Sequence, residues 1–386
     1  MKFLNTLDDK KINAQNHLVE ISLYEYAQIA KKIINNNQLQ RRKVISSNRV
    51  YVLLKDDLKM GCVIPPLVLA FFPKEDQVIK ELSKEDIIDK LTEASDELII
   101  LDGLQRSFTI IDLLDELKDD PHTLEKVKKV PLRMEVYSGI SKVGVLYRML
   151  TLNTGQTPMS TRHQVEILYS DYKDGVEGLK FITEAENKTP SGDKEFRFND
   201  ILDGFLSYIT GDYLPLGRED LISIIKNLEI LTKDDKQKDI FKLFVKTYDS
   251  FRQKIVNDAK GWNYNRDEYL DKRPFAKNVN EIFSKVQMLA GFGAALSFLI
   301  DNSLISSLEE AIEVIQKIRP NGISGCLDQM IKNLDDIQVN AKKIGNEQRM
   351  YFYYFVRSLL NKSSDGYLDY VKAESEAFRL YKANSL

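Results

Sequence analysis

Residues 97–117 read Glu-Leu-Ile-Ile-Leu-Asp-Gly-Leu-Gln-Arg-Ser-Phe-Thr-Ile-Ile-Asp-Leu-Leu-Asp-Glu-Leu, and no other stretch constrains the fold as much. Leu98–Leu101 is an apolar run of buried-strand length, and Asp102-Gly103 is a tight turn. Beyond it Leu104, Phe108 and Ile111, with Ile110, Leu113, Leu114 and Leu117 beside them, recur at helical spacing. A strand that enters a helix through glycine aims the free N–H groups and the positive helix end at one point, which suits a phosphate or another anion. Gln105 and Arg106 in the first helical turn reach that point. Asp102 at the strand end is placed to hold a water, a cation or Arg106 itself. The plainer alternative is a strand-to-helix turn whose Arg106 does no more than pair with Asp102.

The pattern around this stretch alternates strands with helices. Residues 17–34 read as an amphipathic helix, with Leu23, Tyr26, Ala27, Ala30, Ile33 and Ile34 on one side. Arg49–Lys55 reads as a strand from its alternation, Leu67–Phe72 after Pro65-Pro66 as a buried strand, and Leu132–Tyr137 as a strand with Arg133, Glu135 and Tyr137 sharing a face. A helix from Ser141 to Leu152 leads into the polar loop Asn153–Pro158, and Thr161-Arg162-His163-Gln164 opens another helix with a capping-box pattern. Lys188–Lys194 is the best linker candidate, and beyond it the periodicity is helical: Asp220–Leu231, Asp239–Ala259, Glu281–Ile300, Leu308–Ile318, Cys326–Leu334, Glu347–Leu360 and Tyr367–Tyr381. Phe196–Tyr208 fits either half.

The length of 386 residues allows two domains, and the formal net charge of −3 makes the surface as a whole no magnet for nucleic acid. Two cysteines and three histidines support neither a disulfide framework nor metal-ligand spacing, so no metal site is expected and a reducing cytoplasm fits best. The N-terminus carries no signal-peptide h-region, and the longest apolar run, Gly291–Ile300, is too short to span a bilayer, so no membrane association is expected. Ordinary P-loop NTPases and nucleophile-elbow hydrolases are excluded by the absence of their glycine motifs. The second half contains no histidine, which argues against a histidine-dependent metal nuclease there.

Other candidates each have a bland counterpart. Asn153, Thr154 and Gly155 present backbone N–H groups in a loop that is either an anion nest or an ordinary helix connection. Arg133 belongs to a cleft wall beside Arg106 or to a solvated sheet face, the second being the better reading. Arg41, Arg42 and Lys43, with Lys31, Lys32 and Arg49 near in sequence, form the densest basic run, a DNA-phosphate contact or a solvated charge run. His163 in a helix cap is a candidate proton carrier but more often a surface residue, and His17 and His122 show no constellation. Tyr351–Phe355 reads as helix core rather than as a base-stacking platform.

Leu101-Asp102-Gly103-Leu104-Gln105-Arg106 after an apolar strand resembles the Asp-Gly-Gln-Gln-Arg or Asp-Gly-Gln-His-Arg signature of the ParB/sulfiredoxin-like superfamily, in particular DndB-like (DGQHR-domain) proteins and GmrSD-type restriction subunits. Arg49–Lys55 followed by Ile64–Ala70 is similar to the segment leading into that family's Pro-initiated strand, and Leu152–Ser160 to its Asn-Thr-Gly stretch; the resemblance spans roughly residues 40 to 172. It implies a small mixed sheet with helices and a phosphate pocket in which Asp102, Gln105 and Arg106 are the candidate catalytic residues. Gly103, Arg133, Asn153, Thr154 and Gly155 would bind phosphate or nucleotide, and Arg41, Arg42 and Lys43 would bind DNA. Leu104 departs from the polar residue usual there and removes an amide's donors and acceptor, which counts against catalysis more than against binding. The sulfiredoxin-type catalytic Cys is absent at that position, and no HNH-type motif is visible, which argues against a nuclease.

The expected fold is therefore α+β: a ParB/sulfiredoxin-like domain over residues 1–190 with a small mixed sheet, then an all-α domain over 191–386. The expected function is that of a DNA-associated bacterial defence or DNA-modification regulatory protein binding DNA or nucleotide phosphate at the turn. A nucleoside triphosphate with Mg²⁺ is the one cofactor left open, and with it NTP hydrolysis. The alternative is a non-catalytic protein–protein interaction module of a defence complex. DNA, partner proteins of a defence system and a second copy of the chain are the partners these readings admit.

Overall fold

A computed structural model describes residues 1–36, 49–71, 82–93, 97–152, 194–215, 236–264 and 274–385, with positions 169, 172, 175–176, 178–183, 186 and 188–190 between them. It is mixed α+β, with a small mixed sheet and many helices. The chain divides into two compact units, Met1–Asp171 and Tyr172–Leu386. Phe196–Tyr208, which the sequence left open, lies in the second.

The first unit opens with a hairpin, β1 (Lys2–Asp9) and β2 (Ala14–Ser22), and continues through α1 (Leu23–Asn36), α2 (Arg49–Lys59), β3 (Leu67–Phe71), α3 (Lys84–Glu93), β4 (Leu98–Asp102), α4 (Leu104–Glu116), α5 (Pro121–Lys128), β5 (Pro131–Ser138) and α6 (Lys142–Leu152). The five strands form one sheet in the order β1-β2-β5-β3-β4. Only β5 and β3 run parallel; the other pairs are antiparallel.

Two apolar layers cover the sheet. Val19, Ile21, Leu67, Leu69, Phe71, Leu98, Ile100, Leu132, Met134 and Val136 face a core shared with α1, α3 and α4, through residues such as Tyr26, Ala30, Ile87, Ile110 and Leu113. Val68, Ala70, Ile99, Leu101 and Tyr137 face the other way, onto Val145 and Met149 of α6. β3 and β4 are therefore buried on both faces, which is why their sequences read as continuous apolar runs instead of alternating.

In the first unit two expectations are corrected. Arg49–Lys55 is helix, not strand: the segment continues to Lys59, with Leu54 and Leu58 one turn apart on the core and Asp56 and Lys59 outside. A five-position alternation of apolar residues fits either structure, and the core contact decides it. The helix expected over 17–34 starts only at Leu23. Ser22 is its N-cap, with the Glu25 carboxylate accepting from the Ser22 N–H at 3.0 Å and the Glu25 N–H donating to Ser22 Oγ at 3.2 Å, a reciprocal capping box. Before it, Val19 and Ile21 alternate inward as strand.

His17 lies on β2, 2% exposed, between the Ser138 hydroxyl on β5 (2.7 Å from Nε2) and the Thr6 hydroxyl on β1 (3.0 Å from Nδ1). It thus ties three strands together by a polar contact with both ring nitrogens engaged.

The part expected to be all-α carries one short strand: the second unit holds a two-stranded parallel ribbon, β6 (Lys180–Ile182) and β7 (Glu195–Arg197), then α7 (Phe198–Thr210), α8 (Lys236–Ala259), α9 (Val279–Phe283), α10 (Val286–Asp301), α11 (Leu308–Gln316), α12 (Ile323–Asn340), α13 (Ile344–Leu360) and α14 (Tyr370–Asn384). The single helix expected over Glu281–Ile300 is two, broken at Ser284-Lys285. The helix expected over 220–231 lies outside the described residues. Phe205, Phe241, Phe244, Tyr248, Phe251, Phe283 and Phe292 interlock between α7, α8, α9 and α10. Tyr351, Phe352 and Phe355 of α13 are buried core, as expected. α7 and α10 cross at glycines: a Cβ on Gly293 would stand 2.0 Å from the Gly204 carbonyl oxygen. Among the described residues no helix is long and apolar enough to cross a membrane.

Two tests follow from this packing. Gly293→Ala pushes a methyl into backbone that cannot yield, so chemical denaturation of the variant should show the second unit destabilised by about 3 kcal/mol or more. Burial lowers the pKa of His17, so the unfolded chain takes up that proton before the native one does. Stability is then unaffected above about pH 6.5 and falls below it, by up to about 1.4 kcal/mol per pH unit until the native His17 protonates. Denaturant midpoints at pH 7.5 and 5.5 should separate in the native chain and draw together in His17→Gln.

Candidate functional site

The candidate site is the junction between β4 and α4. Gly103 stands there in the left-handed region, φ +94°, so the chain can leave the strand and start the helix within one residue. A Cβ at this position would meet Leu67 Cδ2 at 2.4 Å and Arg106 Nη2 at 3.3 Å. The backbone angle calls for glycine, and any side chain here would also have to displace the buried tip of Leu67. The first helical hydrogen bond runs from the Ser107 N–H to the Gly103 carbonyl at 2.8 Å. Gly103 offers no side chain to cap the N–H groups of Leu104, Gln105 and Arg106, so the cap residue leaves the positive end of α4 bare.

Arg106 folds back over this turn. Its Nη2 donates to Asp102 Oδ2 at 2.7 Å, and its Nη1 donates to the Pro65 carbonyl at 2.6 Å and more weakly to that of Pro66 at 3.4 Å. The two side chains are 12% and 13% exposed. One guanidinium therefore ties the end of β4 to the segment that enters β3. The charge is shared between a carboxylate and two carbonyls, as a largely desolvated cation requires. Among the described residues, Asp102 Oδ1 and Arg106 Nε are buried without a hydrogen-bond partner.

Beneath the turn, Ser107 and Tyr26 complete a buried chain. The Ser107 hydroxyl donates to the Gly103 carbonyl at 2.9 Å, so the Tyr26 hydroxyl, 2.6 Å away, must donate to Ser107 Oγ. Burial pushes the Tyr26 phenol up to about 12, opposed by the Ser107 hydrogen bond and by Arg106 and assisted by Asp102. The phenol stays protonated and fixes the turn from the core of α1. Sequence reading missed Pro65, Pro66, Tyr26 and Ser107. The Pro-Pro pair is a visible signal for a strand entry, but a carbonyl's readiness to accept a guanidinium leaves no trace in residue identity.

The structure brings Asp102, Gly103, Gln105 and Arg106 into one corner. Gln105 is half-buried, and its backbone carbonyl accepts from the Thr109 hydroxyl at 2.9 Å. Arg133 is placed elsewhere. It is exposed, opposite Glu20, between Leu132 and Met134 whose side chains enter the α1–α4 core, so it points to the other face of the sheet. Its face-mates are internally paired: Glu135 accepts from Asn16 Nδ2 at 2.9 Å, and the Arg148 guanidinium, bonded to Asp9, lies over the Tyr137 ring at 5.4 Å. Asn153, Thr154, Gly155 and His163 lie outside the described residues, as do Arg41, Arg42 and Lys43. Of the basic residues near that run, Lys31 pairs with Asp115 at 3.3 Å and Lys32 donates to the Glu93 carbonyl at 3.4 Å.

Gly103→Ala tests the geometry of the corner. The substitution must adopt a left-handed backbone and displace Leu67, and thermal or denaturant unfolding should show a loss of about 2–4 kcal/mol, well beyond the usual cost of a surface change. A variant as stable as the native chain would mean the turn is not built this way.

The chain matches no protein-family model, no curated protein and no solved structure.

Proposed function

We propose that this chain is a non-catalytic interaction module of a DNA-associated bacterial defence or DNA-modification complex. The DNA-linked setting rests on the resemblance of the Asp102–Arg106 turn to the Asp-Gly-Gln-Gln-Arg signature. The non-catalytic part rests on one observation: the Arg106 guanidinium is spent on Asp102 and on the Pro65 and Pro66 carbonyls. In that arrangement it locks the turn and does not reach out to a phosphate. Leu104 in place of a polar residue points the same way, since it supplies no donor to a leaving or attacking oxygen.

A second reading keeps the phosphate. It is favoured by a start of α4 that Gly103 does not cap and by Asp102 Oδ1, a buried acceptor without a partner among the described residues, which a hydrated Mg²⁺ or a ligand donor would satisfy. On this reading a phosphate of DNA or of a nucleoside triphosphate draws Arg106 off the proline carbonyls, and any hydrolysis depends on Asp102 positioning water or Mg²⁺.

Calorimetric titration with ATP, GTP and a DNA duplex at low and high salt, on the native chain and on Arg106→Ala, separates the two. The module reading expects no nucleotide binding and no turnover. It also expects a destabilisation of about 3 kcal/mol in Arg106→Ala, because Asp102 is left buried and unpaired. Salt-sensitive binding that Arg106→Ala abolishes while circular dichroism stays native would replace the module reading with the phosphate reading.

A further inference from the structure

The two edges of the five-stranded sheet differ. β4 is buried along Leu98–Leu101, whereas β1 exposes Lys2, Leu4, Asn5, Leu7 and Asp8, and among the described residues no strand lies on its outer side. Leu4 and Leu7 are among the exposed large apolar residues of the chain, Leu7 at 65%. An open edge of eight residues with apolar side chains is a template for another strand.

The backbone direction of β1 follows from its neighbours. The Leu23 N–H donates to the Val130 carbonyl at 2.8 Å, one step beyond the Ser22–Pro131 pair. Odd-numbered residues of β2 therefore bond to β5, and even-numbered ones to β1. Thr6 lies opposite His17, so its N–H and C=O turn away from β2. Asn5 Oδ1 covers that outward N–H at 2.8 Å, which is how an edge strand satisfies a donor that no strand accepts. Asp8, opposite Gln15, faces outward as well, and so does Phe3, opposite Val19, on the far side of the irregularity at Leu4. The open edge thus offers its backbone groups at Phe3, Thr6 and Asp8.

We propose that β1 pairs antiparallel with β1 of a second copy of this chain, with the two-fold axis at Thr6. Counting the Leu4–Asn5 bulge as one step, this register sets Thr6 against Thr6 and Phe3 against Asp8 at the hydrogen-bonded positions. It sets Leu7 against the Leu4–Asn5 bulge, and Lys2 against Asp9, at the positions between, where side chains approach most closely. Each contact occurs twice. The strand is basic at its start, at Lys2, and acidic at its end, at exposed Asp8 and at Asp9, which Arg148 already holds, so antiparallel pairing brings ends of opposite charge together and parallel pairing would stack like ones. That charge order selects a second copy over an arbitrary extended peptide. The Thr6 N–H passes from the Asn5 side chain to the partner's backbone, and Leu4 and Leu7 leave water together.

Sedimentation velocity of the full chain from low to high micromolar concentration tests this. The native chain is expected to associate reversibly to a dimer. Leu7→Lys and Leu4→Glu, both at exposed positions, should each weaken association at least tenfold with an unchanged circular dichroism spectrum. The double variant Leu4→Glu/Leu7→Lys, which places opposite charges across the axis, should recover the dimer and make it salt-sensitive. A native chain that stays monomeric throughout, a dimer indifferent to Leu7→Lys, or a double variant no better than the single ones would each overturn the proposal.

Discussion

The first unit turns on one guanidinium. Beyond the apolar packing of β3 and β4, the end of β4 and the entry to β3 are joined by an irregular pairing, with a register shift between Val68 and Leu69, and Arg106 adds the polar tie between them. With it, Asp102 and the Pro65 and Pro66 carbonyls share a charge that would otherwise be costly to bury. The glycine turn brings Arg106 back over its own strand end, and Ser107 and Tyr26 hold the turn from below. The glycine conformation, the buried Tyr26–Ser107 chain and the Arg106 ion pair thus converge on the same turn.

This economy shapes the function that the corner can serve. A helix start with no capping side chain is a general anion site, but an arginine already carrying three acceptors has to give some of them up before it can hold a phosphate. Asp102 Oδ1 and Arg106 Nε, buried without a hydrogen-bond partner among the described residues, are the observation behind the second, phosphate reading.

Much of the architecture was legible. β3, β4 and β5 follow from their apolar runs and alternation, and the strand–glycine–helix junction follows from Asp102-Gly103 and the periodicity after it. The helices of the second unit largely follow from their spacing, with ends moved by a few residues. What was not legible had physical causes. Thr6 and Leu7 lie on a strand with one exposed face and an open edge, so β1 carries little apolar pattern. Val50, Val52 and Leu54 fit a strand or a helix until Leu54 and Leu58 are seen on the same core. His17 showed no partner in the sequence because Thr6 and Ser138 come from other strands.

By itself the sequence determined the turn: a glycine between an apolar run and a helical period ends the strand and starts the helix there, and the apolar residues on either side must bury. It also determined that Asp102 and Arg106, four apart across a helix start, could meet. Tertiary structure alone decided what Arg106 does there. Whether a guanidinium faces solvent or a pair of proline carbonyls depends on a strand more than thirty residues earlier being laid alongside β4. That pairing is a property of the packed sheet, written in no local pattern of side chains.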